Sequence, residues 1–147
     1  MGDYLTSQGE IEEAGSYYRK SLEARERIYE RSQTAAVLRG LPISYRNMGN
    51  YLTSQGEIEE AGSYYRKFLE AAEQIYKRSQ SATALRDLLL AHNDMGDNKY
   101  ALKLYAEAHF HRTKALELYE SYVQLDSSFQ EFDSYFRDKL AIVDNND

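Results

Sequence analysis

Between Leu38 and Leu52, apolar side chains fall at Leu38, Leu41, Tyr45, Met48 and Leu52, three or four residues apart, which is the pattern of one buried helix face. A second stripe follows at Ile58, Ala61, Tyr65, Leu69, Ala72 and Ile75. Gln55-Gly56 separates the two as a helix stop, and Glu57, Glu59 and Glu60 then place negative charge at the positive end of the next helix. Two antiparallel helices are predicted, the second running to Arg78 over roughly 33 Å. Ser79 and Ser81 supply N-cap chemistry for the next element. Pro42 follows Gly40, so the first helix either kinks there or begins at Pro42 after a short turn.

The same polar and apolar pattern occurs twice. MG[DN]YLTSQGEIEEAGSYYRK, then [SF]LEA, starts at Met1 and again at Met48, a period of 47 residues. A fixed period of this size signals stacked αα-hairpins, each unable to bury its apolar face alone. Binding is therefore expected, not chemistry. Because Met1 aligns with Met48, the chain is expected to open inside a unit, with only the tail of a first helix before a long one from Glu10 to Arg31. Ile11, Ala14, Tyr18, Leu22 and Ile28 would then lack a packing partner, and a second copy of the chain is the expected cover. A third unit is expected to diverge: Gly96-Asp97-Asn98 reads as a turn, giving a shorter first helix from Ala82 to Met95, straight through Asp87-Leu88-Leu89. A new helix would then carry Tyr100, Ala101, Tyr105 and Ala108. Asp126-Ser127-Ser128 reads as a cap for a last helix with Phe129, Phe132, Phe136 and Leu140 on one face, and Asp144 to Asp147 should fray.

Composition narrows the function class. A net charge of -6 without a Lys/Arg-rich block provides no footprint for nucleic acid. The mean hydropathy of -0.72 with 42% hydrophobic residues fits a thin, elongated core. No cysteine is present, so disulfides and thiolate metal sites are excluded. No apolar run approaches a membrane span, and a cytoplasmic chain is expected. Met1-Gly2 with Thr6 fits the myristoylation pattern, but the same residues recur at Met48, Gly49 and Thr53, so the repeat already accounts for them.

The motif Tyr45-x2-Met48-Gly49-x2-Leu52, then Gly56-Glu57 and Ala61-x3-Tyr65, resembles the tetratricopeptide repeat family. Met1-Gly2-x2-Leu5, Gly9-Glu10 and Ala14-x3-Tyr18 stand in the first unit, and Gly96-Asp97 with Ala101-x3-Tyr105 in the third. Small Gly and Ala let two helices approach, and the aromatic residue fills the space beside them. The resemblance implies an all-α, right-handed αα-hairpin solenoid with a C-terminal capping helix. Its organisation reads as a partial repeat 1–33, a repeat 34–80, a divergent repeat 81–126, and a capping helix with a frayed tail over 127–147. The period exceeds the family's 34, the terminal proline is missing, and Leu52 stands where an aromatic is usual.

The resemblance also implies a non-catalytic module that holds a protein or peptide segment in a concave groove; self-association into a homo-oligomer or homodimer is the alternative. One subgroup of the family holds a terminal carboxylate with a basic residue and an Asn one helical turn apart, which here fall on Arg46 and Asn50, with Asn47 and Tyr51 beside them. The third unit offers Asn93 and Asp97 at the same places, so an ordinary solvated helix face is the competing reading. Tyr18 and Tyr65 read as core, while Tyr4, Tyr17, Tyr51 and Tyr64 fall beside the stripes. His92 reads as an interface residue in the place of Tyr45. Glu107, His109 and His111 lie close along one helix but lack a second carboxylate–histidine pair, so no metal site and no cofactor are expected. No phosphate loop, nucleophile motif or dinucleotide fingerprint is present.

Overall fold

The computed structural model describes residues 2–125 and 133–144. Among the described residues seven helices follow one another: α1 Gly2–Arg31, α2 Ala35–Arg39, α3 Leu41–Ser54, α4 Ile58–Arg78, α5 Ala82–Ala101, α6 Tyr105–Leu125 and α7 Asp133–Asp144. The long helices pack in succession, as a stack of hairpins requires: α1 on α3, α3 on α4, α4 on α5, α5 on α6, and α7 on α6. The proposed cap residues Asp126, Ser127 and Ser128, together with Phe129, Phe132 and the tail 145–147, lie outside the described residues.

The α3–α4 hairpin forms as its stripes predict. Leu38, Leu41, Tyr45, Met48, Leu52, Ala61, Tyr65, Leu69 and Ala72 are all buried in one cluster. Gly56 takes φ +80, a region that only glycine enters without strain, and the Glu57 N–H donates to the Leu52 carbonyl to close the turn. Gly40 separates α2 from α3, with Pro42 in the first turn, so the short-turn alternative is the one realised. Ser81 caps α5 by accepting from the Ala84 N–H at 3.1 Å.

Two expectations are overturned. The break expected at Gln8-Gly9 is absent, and α1 is one 30-residue helix. Residues 4–13 and 51–60 are identical, so the difference comes from their surroundings. In the second copy the turn is held from outside: the Tyr65 ring packs on Gly49, and its hydroxyl lies 3.1 Å from that of Thr53. The equivalent Tyr18 instead packs beside Tyr51 of α3, with ring centroids 6.2 Å apart. With that clasp engaged elsewhere, helix continuation wins despite the roughly 1 kcal/mol that a mid-helix glycine costs. Leu22, expected to lack a partner, is 2% exposed in the core cluster that joins α1 to α3.

The second correction concerns the third unit. Gly96 is not a turn but lies within α5, and the reversal comes at Leu102–Leu104, where Lys103 has φ 62. A Cβ on Gly96 would meet Arg112 at 2.8 Å, as one on Gly49 would meet Tyr65 at 2.7 Å. Gly96 is therefore a close-approach glycine, and the Ala-x3 pair of this unit is Ala108 with Arg112, not Ala101 with Tyr105. Ala108 is fully buried, as Ala61 is, whereas Ala101 is exposed.

Candidate functional site

The residues singled out on α3 lie along the side that faces α1 and α5. Arg46 grips Asp94 of α5 through a fork, with Nε–Oδ2 2.7 Å and Nη2–Oδ1 3.4 Å. Asp94 is almost fully buried, and that burial raises its carboxyl pKa while the bond and charge of Arg46 pull it back down. Asn50 accepts from the Tyr65 hydroxyl at 2.7 Å. Tyr51 closes on Gly15 of α1. Asn47 is half-buried, and its amide has no partner among the described residues.

The corresponding positions of the next unit are engaged as well. Lys139 of α7 donates to Asn93 at 3.1 Å and to both Asp97 carboxylate oxygens at 2.9 Å. Arg112, 6% exposed, donates to the Lys139 carbonyl and to Asp97. The first helix of each hairpin thus hands a charged contact to the next: α3 to α5 through Arg46–Asp94, and α5 to α7 through Asn93 and Asp97.

Of the open spaces on this side among the described residues, two are the most roomy. Between α1 and α3, a cleft of about 480 Å³ is lined by Ile11, Tyr18, Asn47, Asn50, Tyr51 and Ser54, among others. Where α5, α6 and α7 meet, a second of about 320 Å³ is mostly apolar, with Leu89, Tyr119 and Phe136 in its wall and Arg46 at its edge. Both fall in the size range of ordinary ligand pockets, roughly 300–1,000 Å³.

Sequence reasoning missed a buried histidine pair. His92 of α5 and His111 of α6 point Nδ1 at Nδ1 across 3.0 Å, which requires one ring to donate to the other. Burial, then His111 and Lys114, pushes His92 down to about 4. Burial also lowers His111, helped by Arg66 and Lys99 against Glu107. The signal available was that His92 replaces the buried Tyr45 of the preceding unit; nothing marked its partner. Glu107 instead pairs with Lys99 at 3.6 Å, and among the described residues no group of three or more metal-ligating side chains converges.

Stacked antiparallel hairpins, glycine close approaches and polar links between first helices define the class: an all-α helical repeat protein. Residues 1–33 and 43–80 match the tetratricopeptide repeat family, and these segments are assigned to it. No curated protein and no solved structure matches the chain. No helix among the described residues is long and apolar enough to cross a membrane.

Proposed function

We propose that the chain is a non-catalytic module that binds an extended segment of another protein along α1, α3 and α5. The observation that carries this reading is the unpartnered Asn47 amide in the cleft between α1 and α3. A side-chain amide both donates and accepts, so it can pair with a peptide group of an extended ligand. Asn50 holds the Tyr65 hydroxyl with its oxygen and keeps its NH₂ for the ligand. Arg46, oriented by Asp94, keeps one edge of its guanidinium, and the Tyr51 ring forms the cleft wall. These internal bonds fix the donors in place before the ligand arrives, which lowers the entropy cost of binding. We place the working array over 1–126, with α7 closing the stack.

Asn47→Ala combined with Asn50→Asp tests this without removing the acceptor that Tyr65 needs. Capture from native lysate, read by mass spectrometry, is expected to lose specific partners with the double variant at unchanged helicity. Identical partner lists for the two proteins would reject the groove reading.

A further inference from the structure

A third cavity lies away from the groove residues, at the edge where α4 ends and α5 begins. It measures about 440 Å³, opens to solvent and is bordered by α2, the end of α4 and the first turns of α5. Its floor is apolar, from Leu38, Ile75 and Ala84, and its rim carries Arg39 and Arg78. Arg25 holds the Gly40 carbonyl, Arg46 holds Asp94, Arg112 holds Asp97 and Arg137 holds Glu120, whereas Arg19, Arg27, Arg31 and Arg66 have no partner among the described residues; what sets Arg39 and Arg78 apart is that both line this one cavity. Arg39 and Arg78 have no partner among the described residues. Two free guanidinium groups above an apolar floor form a surface of defined complementarity.

We propose that this cavity binds an acidic segment of a partner protein, with one apolar side chain on the floor and flanking carboxylates on Arg39 and Arg78. The apolar part of the lining selects among anionic ligands: a peptide segment can place an apolar side chain there beside its carboxylates, whereas a phosphodiester backbone carries no such group. Asp87, on the same wall, gives the site polarity. Its carboxylate repels a ligand carboxylate at that end and accepts a ligand N–H, so the acidic residues lie toward Arg39 and Arg78. The site is independent of the groove, since none of its lining residues contributes to the cleft between α1 and α3.

The test is fluorescence anisotropy with the full chain and a labelled peptide, Glu-Asp-Leu-Phe-Asp-Glu, beside its Gln/Asn counterpart. Saturable binding is expected for the acidic peptide and at least tenfold weaker binding for the uncharged one. Arg39→Gln with Arg78→Gln should weaken the acidic peptide at least tenfold. The charge-matched control Arg19→Gln with Lys20→Gln, and the groove variant Asn47→Ala, should change it less than twofold. Loss in the control as large as in the Arg39/Arg78 variant would reduce the effect to general charge and overturn the proposal. So would equal binding of both peptides, absence of saturation at millimolar peptide, or binding to phosphatidylserine vesicles through Arg39 and Arg78 in place of the peptide.

Discussion

At the scale of single residues, glycine and histidine carry the sharpest consequences. Gly49→Ala would drive a methyl against the Tyr65 ring, and the expected loss is about 1–3 kcal/mol, measured by urea denaturation. The buried histidine pair makes stability depend on pH with a definite sign. His92 titrates near 4 when folded and near 6.5 when unfolded, so the unfolded chain binds more protons between those values. The contribution is complete above pH 6.5 and is lost as pH falls toward 4. Asp87 and Asp94 act in the opposite sense, because burial raises their carboxyl pKa values. Comparing the chain with a His92→Leu/His111→Leu variant isolates the pair. Between pH 7 and pH 4.5 the natural chain is expected to lose roughly 2–3 kcal/mol more than the variant by chemical denaturation. Equal slopes would show that neither ring is held neutral by the fold.

At the scale of elements, the apolar stripes made α3 and α4 legible because burial there coincides with helical spacing. Two boundaries were not legible, for the same reason: glycine serves as a turn at Gly56, as a close approach at Gly49 and Gly96, and as an ordinary helical residue at Gly9. Only the partner across the hairpin distinguishes these uses, and a partner is a tertiary fact. Of the candidate site, the helix and the side bearing Arg46, Asn47, Asn50 and Tyr51 were readable. Their bonds to Asp94, Tyr65 and α1 were not, since these join residues far apart in the chain. The identical decapeptides allow a direct test. Gly9→Ala is expected to stabilise by about 0.4–1 kcal/mol, because it lies in a helix with open space around its Cβ position. Gly56→Ala is expected to destabilise by about 1–2 kcal/mol, because φ +80 strains an L residue. Paired thermal or urea melts that gave the same sign would show that the two segments share one conformation.

At the scale of the whole molecule, α1 and α4 are nearly the same helix in different settings. α4 buries Phe68 and Ala72 on the stripe that carries Tyr65, whereas α1 has Ser21 and Arg25 at those places, with Arg25 exposed and bonded to the Gly40 carbonyl. At these two positions α4 is apolar and α1 is polar. Ser21→Phe with Arg25→Ala would give α1 the face of α4, and sedimentation is expected to shift toward larger species relative to the unaltered chain. An unchanged distribution would mean that this face does not govern association. The two substitutions also bear on how the chain assembles. Two segments of almost identical sequence, α1 and α4, each have to find their own place against α3. Ser21 and Arg25 penalise the wrong choice by placing a hydroxyl and a guanidinium where the hairpin wants a ring and a methyl. Repetition leaves two nearly interchangeable helices, and these two side chains tell them apart.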